Sequence, residues 1–199
     1  METTVNLLLA SDYDLPSQIE FVLSRRGVPK EFLPYTMNEK QKKTFDVSIG
    51  YYLHGPVGTR KTGTAVAMMR EIILRKSNPY KIDTMVRGIY DAWFFSVTDI
   101  LGRIKASFKK EALESEADVI DRVSSPEMIV IDDLGTEKVT DWTLQTLYTI
   151  IDIRSRTQRQ TIITSNLGLE AMGHHMNDRI SSRIRGMCKI ISMTGRDQR

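Results

Sequence analysis

The sequence predicts an α/β fold in which a parallel sheet is covered by helices on both faces. From about residue 46, short apolar runs alternate with longer segments in which apolar residues recur at helical spacing. Several of these runs end in glycine, aspartate, serine or asparagine, residue types that commonly follow strands. Strands that alternate with helices are typical of parallel sheets, and the ligands of such sheets lie at the carboxyl ends of the strands.

The composition is that of a globular domain. The chain has 199 residues, of which 41% are apolar and 27% charged, and these values argue against a largely disordered chain. The net charge of +3 is too small to indicate nucleic-acid binding by itself. The single cysteine, Cys188, cannot form an internal disulfide, and no apolar run approaches the roughly 18 residues of a membrane span. Since the opening METTVNLLLA lacks the pattern of a secretory signal, we expect a cytoplasmic protein.

Residues 1 to 45 are expected to form a helical extension and a lead-in to the core. A helix is predicted near residues 15 to 26, with Asp14 as its cap and Gly27 at its end. Its apolar face consists of Leu15, Ile19, Val22 and Leu23. Two prolines then favour an extended segment that leads to the core domain, which we place at residues 46 to 199.

The core is predicted to contain strands and helices in alternation. Strands are predicted at residues 49–54, 92–97, 128–131, 161–164 and 188–193. Helices are predicted at residues 61–76, 98–110, 112–123 and 142–156. The loops that follow the strands are therefore the places to search for a ligand site.

A glycine-rich loop with the spacing of a P-loop follows the first predicted strand and opens the first core helix. It consists of Gly55, Pro56, Val57, Gly58, Thr59, Arg60, Lys61 and Thr62. Backbone N–H groups at the amino terminus of a helix bind phosphate, and glycines let the backbone approach it closely. In this pattern Lys61 reaches the β- and γ-phosphates and Thr62 contributes a hydroxyl ligand for Mg²⁺. The loop therefore predicts a nucleotide site.

The loop departs from the usual G-x-x-x-x-G-K-[ST] pattern at one position, where Arg60 replaces the glycine before the lysine. If the backbone needs a positive φ there, a side chain costs about 1–2 kcal/mol. Arg60 also adds positive charge near the phosphates. Three alternatives stay open: a working site, an impaired loop that binds nucleotide weakly or not at all, and a chance match to the pattern.

Two adjacent aspartates follow the third predicted strand in the string MIVIDDLG, residues 128 to 135. Neighbouring carboxylates are costly unless a cation or a basic partner is near. In a nucleotide site Asp132 would hold Mg²⁺ through water, and Asp133 would orient or deprotonate the attacking water. The alternative is an Asp-Asp turn without chemistry.

The fourth predicted strand ends in polar residues in the string TIITSN, residues 161 to 166. If this strand lies beside the first and the third, Asn166 points at the γ-phosphate and the attacking water. The alternative is a simple Ser-Asn turn.

Three arginines, Arg179, Arg183 and Arg185, crowd onto one short helix in the string NDRISSRIRG. A guanidinium group is planar and permanently charged, which suits it to phosphoryl groups. Such a cluster can act on the nucleotide of a neighbouring subunit as an arginine finger. The alternative is a solvated basic face.

These motifs, in this order, resemble those of AAA+ ATPases, specifically the DnaC/DnaI-type loaders of replicative helicases and the related IstB transposition helpers. The resemblance covers about residues 46 to 199. It is carried by GPVGTRKT, MIVIDDLGTEKVTDW, the stretch from Leu147 to Arg154, TIITSNL, DRISSRI and the closing GRDQR. The strings IDDLG and TSNL are more specific than the P-loop, which many unrelated ATPases share. The segment GVPKEFLPYT also resembles the lead-in of these loaders.

The resemblance implies a five-stranded parallel sheet of order 5-1-4-3-2 and a site for ATP or ADP with Mg²⁺. It implies Walker A roles for Lys61 and Thr62, Walker B roles for Asp132 and Asp133, sensor 1 for Asn166, the arginine finger for Arg183 or else Arg179, and sensor 2 for Arg199. It also implies a homo-oligomer, joined through the Arg183 face, that assembles on single-stranded DNA and on a hexameric replicative helicase. Because loaders often carry a larger amino-terminal domain, the helix near residues 15 to 26 is either a reduced docking element or a part of the core packing.

A basic stripe after the second strand is a candidate surface for single-stranded DNA. Arg103, Lys105, Lys109 and Lys110 surround Phe108 in the sequence. Cationic side chains pair with phosphates, and bases stack on an aromatic ring. A solvated helix face with a core phenylalanine explains the same residues.

The leading hypothesis is an ATP-binding AAA+ protein, similar to helicase loaders, that acts in the initiation of DNA replication. One alternative is a transposition helper that acts on duplex DNA. Another is a degenerate ATPase that only binds a helicase or a loader, because Arg60 leaves open whether the loop turns over ATP.

Overall fold

The computed structural model describes residues 15–77, 88–109 and 111–195. Its helices are α1 (Leu15–Arg25), α2 (Glu39–Thr44), α3 (Lys61–Lys76), α4 (Val97–Ser107), α5 (Glu116–Ser124), α6 (Asp141–Arg156), α7 (Leu169–His175) and α8 (Asp178–Met187). Its strands are β1 (Gly50–His54), β2 (Ala92–Ser96), β3 (Met128–Asp132), β4 (Gln160–Ser165) and β5 (Cys188–Ser192). The strands and the longer helices lie where the sequence predicts them, with small shifts at their ends.

The five strands form one sheet in the order β2-β3-β4-β1-β5, and every neighbouring pair is parallel. This order is the predicted 5-1-4-3-2 arrangement, which is thereby confirmed. In its register Leu53 of β1 lies opposite Thr164 of β4. Because β4 is the neighbour of both β1 and β3, the loops after these three strands meet at one edge of the sheet.

Helices cover both faces of the sheet, and each face has its own apolar core. Along β1, Tyr51 and Leu53 pack with α1 and α3, whereas Tyr52 packs into the opposite core, where α4 to α8 lie. This alternation follows from the two-residue period of a strand. Strands buried on both faces read as continuous apolar runs, which explains MIVI in β3 and TIIT in β4.

The first helix packs against the core, as one of the two predicted alternatives requires. Leu23 of α1 is completely buried, and it belongs to the same apolar core as Ile72 and Ile73 of α3. Arg70 of α3 pairs with Glu20 of α1 at 3.5 Å and donates to the carbonyl of Leu33. The helix is therefore joined to α3 by apolar and by polar contacts.

The expected extended lead-in is wrong in part, because it contains α2 and a 3-10 turn at Lys30–Phe32. Asn38 and Gln41 form a reciprocal capping box at the start of α2. The helix buries none of its residues, so no apolar periodicity indicates it in the sequence. Helix α7 was not predicted either, since its seven residues are too few for a periodic pattern.

Within the described ranges, the structure contains no helix with the length and apolar character that crossing a bilayer requires.

Candidate nucleotide-binding site

The P-loop connects β1 to α3 and has the backbone that its glycines predict. Gly55 lies against the residue that follows β5, where a Cβ atom would come within 2.1 Å of the Met193 carbonyl oxygen. Gly58 has a φ of +83°, in the left-handed region. Arg60, the residue before α3, also has a left-handed backbone, with φ +59° and ψ +30°. The loop thus keeps the conformation that favours glycine even where an arginine stands, at the expected cost of about 1–2 kcal/mol.

Lys61 is held over the loop by backbone carbonyls. Its Nζ donates to the carbonyl oxygens of Gly55 at 2.9 Å and Pro56 at 2.8 Å, and the residue is buried. The Thr59 hydroxyl donates to the same Pro56 oxygen at 2.8 Å. The ammonium group therefore lies at the opening of α3, where the helix dipole and the N–H groups also favour an anion.

Thr164 connects the two aspartates at the end of β3. Its hydroxyl donates to Oδ1 of Asp132 at 2.6 Å and accepts the backbone N–H of Asp133 at 2.9 Å. Thr164 is completely buried, and Asp133 takes a left-handed backbone with φ +60°. This contact crosses from β4 to β3 and turns the exposed side chain of Asp133 towards the P-loop cavity.

Burial raises the pKa of the Asp132 carboxyl above its usual range, and the charge of Asp133 acts in the same direction. Hydrogen bonds from Thr164 and Thr62, together with the charge of Lys61, oppose this shift without cancelling it. Positive charge placed beside the Asp132 carboxyl would therefore stabilise its ionised form. A carboxylate joined to a threonine hydroxyl is a hard oxygen set, and it fits Mg²⁺.

One cavity of about 510 Å³ joins the predicted site residues from three strands. Its lining includes Lys61 and Thr62 after β1, Asp133 after β3 and Asn166 after β4. This places Asn166 beside the P-loop, as the sequence predicts if β4 lies between β1 and β3. A second cavity of about 460 Å³ adjoins it, since Arg60 lines both.

Sequence reasoning missed two aromatic residues of the lead-in, Phe32 and Tyr35, which line the cavity that holds Lys61. Tyr35 also lines the second cavity, and its ring covers Gly63 so closely that a Cβ there would lie 2.1 Å from Cε1. The rings of Phe32 and Tyr35 are 5.9 Å apart. Their only signal in the sequence was the aromatic content of GVPKEFLPYT.

The arginines of α8 lie outside this cavity. Arg183 pairs with Asp152 of α6, with 2.9 Å between Nε and Oδ1, and Arg179 is exposed. Neither is among the residues of the described chain that line the cavity around Lys61. Arg199, the predicted sensor 2 residue, lies outside the described residues.

The basic stripe after β2 lies next to an aromatic pair, Phe108 and Trp142. Phe108 is 57% exposed and packs edge-on to Trp142 of α6 at 6.0 Å, and Lys105 lies over the Trp142 ring at 5.4 Å. Arg103 and Lys109 are also exposed. Phe108 is therefore a surface residue rather than a core phenylalanine. Lys110 lies outside the described residues.

The 5-1-4-3-2 sheet, with a P-loop after β1 and polar residues after β3 and β4, defines an AAA+ protein of the DnaC/IstB type. Within that class, the chain belongs to the family of IstB-like ATP binding proteins, whose model matches residues 49–199.

The chain is also similar in sequence and in fold to helicase loaders. The replicative helicase loader DnaC of Escherichia coli strain K12 is 26% identical over 142 residues, which are 71% of this chain and 52% of the relative. The chain thus spans about half the length of the curated relatives that it matches. The crystal structure of the DnaC helicase loader has a TM-score of 0.65 at 21% identity and covers 83% of this chain and 100% of that chain. The crystal structure of DnaI has a TM-score of 0.63 at 21% identity, with coverage of 83% and 94%. These two structures share the fold.

Proposed function

We propose that the chain binds ATP with Mg²⁺ in the cavity between the P-loop and the ends of β3 and β4. The observation that carries the proposal is the meeting of Lys61, Asp133 and Asn166 in one cavity, although they follow three different strands. Support also comes from the family, which is one of ATP-binding proteins by its description. The left-handed backbone at Arg60 supports a working loop, because it preserves the turn that presents the N–H groups.

Each residue has a separate task in this proposal. The Lys61 ammonium exchanges its carbonyl partners for phosphate oxygens, while Thr62 and Asp132 supply oxygen ligands for Mg²⁺. An Mg²⁺ ion held by Thr62 and Asp132 would neutralise charge on the phosphate oxygens. In hydrolysis, the Asn166 amide would orient the water that forms a bond to the γ-phosphorus, and Asp133 would accept a proton from that water. The bond from the γ-phosphorus to the bridging oxygen would break, and that oxygen would leave with ADP.

The second cavity is the proposed site of the base. Tyr35 lies at the boundary of the two cavities and contributes an aromatic face, and Met37 and Met68 supply apolar surface. A planar base buried against such side chains gains from stacking and from apolar burial. On this proposal the lead-in is a part of the nucleotide site.

The test is calorimetric titration with ATP and Mg²⁺. Lys61→Ala is expected to weaken binding by at least about tenfold, because an ammonium at buried phosphates contributes a charge-assisted hydrogen bond. Lys76→Ala, at the other end of the same helix, is the matched control and should bind as the wild type does. An unchanged affinity in Lys61→Ala would refute this site.

We further propose that the chain acts in DNA replication as a loader of the replicative helicase or an accessory of one. The similarity to DnaC supports this role, and the surface formed by Lys105, Phe108 and Trp142 supports contact with single-stranded DNA. Phe108→Ala should weaken binding to a labelled single strand, measured by fluorescence anisotropy at one stated salt concentration. Phe21→Ala, an equally exposed aromatic residue on α1, is the control.

A transposition helper is the second candidate, favoured by the IstB-like family model. It would bind duplex DNA in preference to a single strand at the same salt concentration. Co-purification with a replicative helicase, together with a preference for single strands, would instead support the loader.

A further inference from the structure

The guanidinium of Arg183 is ion-paired within its own subunit. Its Nε lies 2.9 Å from Oδ1 of Asp152, and the side chain is still 44% exposed. The Asp152 side chain is only 14% exposed, so the pair is weakly screened by water on its acidic side. A hydrogen bond with Tyr148 and the charge of Asp152 raise the pKa of the Arg183 guanidinium above its ordinary value.

The partners of Arg183 come from one face of the neighbouring helix. Tyr148 and Asp152 are four residues apart on α6, so they lie one above the other. Helices α6 and α8 pack together through apolar residues that include Leu147 and Ile184. Two packed helices thus fix where the base of the Arg183 side chain lies, and the ion pair with Asp152 holds its charged end beside α6.

A free arginine side chain samples many rotamers, and ordering it costs free energy whenever it binds a phosphate. A side chain already ordered by an ion pair pays less of that cost on binding. The contact with Asp152 is made through Nε, whereas the two terminal amino groups of a guanidinium lie at the far end of the side chain. This arrangement orders the arginine while the side chain remains accessible.

We propose that Asp152 is a positioning residue that holds Arg183 ready for the triphosphate bound to a second copy of this chain. The proposal rests on the proposed ATP site. It also takes from the family resemblance the role of Arg183 as an arginine finger, and what it adds is the residue that prepares the contact. Asp152 itself touches no nucleotide.

The chain offers a matched control for removing this carboxylate. Asp152 also pairs with Arg156 on its own helix, with 2.8 Å between Nε and Oδ2. Arg156→Ala therefore deletes an ion pair of the same aspartate and leaves Arg183 in contact with it. Asp152→Asn keeps the size of the side chain and removes the charge that orders Arg183.

The experiment measures ATP binding by calorimetry, ATP-dependent assembly by sedimentation, and ATP hydrolysis as a function of subunit concentration. Asp152→Asn should bind ATP like the wild type. Its assembly-dependent hydrolysis should fall about tenfold, or the subunit concentration needed for ATP-dependent assembly should rise about tenfold. Arg156→Ala should remain within about twofold. A change in ATP binding equal to the change in assembly would overturn the proposal, because a fault in the subunit's own fold produces that result.

Mixed subunits separate an effect on a neighbour from an effect within one subunit. The Lys61→Ala subunit lacks a nucleotide but retains an ordered Arg183. The Asp152→Asn subunit binds a nucleotide, but its Arg183 is not ordered. A mixture of the two should regain activity or assembly above the sum of the separate variants. Failure to recover would overturn the proposal.

Arg183→Ala distinguishes the possible failures. If Arg183→Ala is impaired and Asp152→Asn is not, positioning by Asp152 is refuted and the finger role of Arg183 stands. If neither is impaired, or the wild type shows no ATP-dependent assembly or hydrolysis, the contact between subunits is refuted. The calorimetric result for Lys61→Ala decides the ATP site independently.

Discussion

Arg60 carries a backbone conformation that an L-amino acid adopts only at a cost, and it does so where the loop approaches the proposed phosphates. Its side chain lines both cavities, so its charge is available to an anion. The effect of Arg60 on ATP turnover therefore decides between two cases. Either the strained backbone belongs to a working site, or it impairs the site.

Arg60→Gly should relieve this strain and raise the free energy of unfolding by about 0.5–1 kcal/mol, measured by urea denaturation. Gln158→Gly is the matched control, because Gln158 has a left-handed backbone with φ +52° in the turn after α6. Both variants should gain stability, and only Arg60→Gly should change ATP turnover. Equal turnover in Arg60→Gly and the wild type would show that the arginine is harmless; activity only in the glycine variant would identify a degenerate ATPase.

The hydroxyl of Thr164, on β4, positions both aspartates at the end of β3, the neighbouring strand. Thr164→Val keeps the shape but removes the hydroxyl, which leaves the buried Asp132 carboxylate without that donor and the Asp133 N–H without its acceptor. We expect a loss of about 1–3 kcal/mol in stability, together with weaker Mg²⁺-dependent ATP binding. Thr164→Ser retains both hydrogen bonds and should keep most of the binding. Equal behaviour of the valine and serine variants would contradict this role.

Between elements, the lead-in contacts α3 at Gly63, a position where the residue has no side chain. The Tyr35 ring occupies the space of a Cβ at Gly63, so it covers the first turn of the helix that follows the P-loop. This contact couples the position of the lead-in to the nucleotide cavities.

Gly63→Ala should displace Tyr35, reduce stability by about 1–3 kcal/mol and weaken ATP binding. Gly102→Ala on α4 is the control, because a Cβ there meets nothing within 4 Å; it should stabilise the chain by about 0.5–1 kcal/mol. Thermal unfolding and calorimetry measure both effects. A stabilised Gly63→Ala would show that the ring moves away easily.

At the scale of the whole molecule, α1 belongs to the core on one face of the sheet. Leu23 is completely buried, whereas Phe21 on the same helix is 51% exposed. One face of α1 thus contributes to folding, and the other remains available to a partner.

Leu23→Ala should lower the free energy of unfolding by about 2–5 kcal/mol, because it leaves a cavity between α1 and the core. Phe21→Ala should change it by less than about 0.5 kcal/mol. Denaturation monitored by circular dichroism measures both. A small effect of Leu23→Ala would indicate that α1 is dispensable for the fold, and a loss of helicase binding in Phe21→Ala would support docking through α1.

The alternation of strands and helices, the P-loop and the polar ends of β3 and β4 can all be predicted from the amino-acid sequence, because each depends on residues close together in the chain. Apolar periodicity indicated α3 and α6. It gave no sign of α2, because that helix buries no side chain and so has no apolar face. The contacts between side chains of different elements, by contrast, became known from the three-dimensional arrangement of the strands and helices. The order of the strands brings Thr164 to Asp132, and the packing of α6 on α8 brings Asp152 to Arg183. Each of these pairs joins residues of two different elements. Its distance depends on how the two elements pack together, which the sequence of either element alone does not specify.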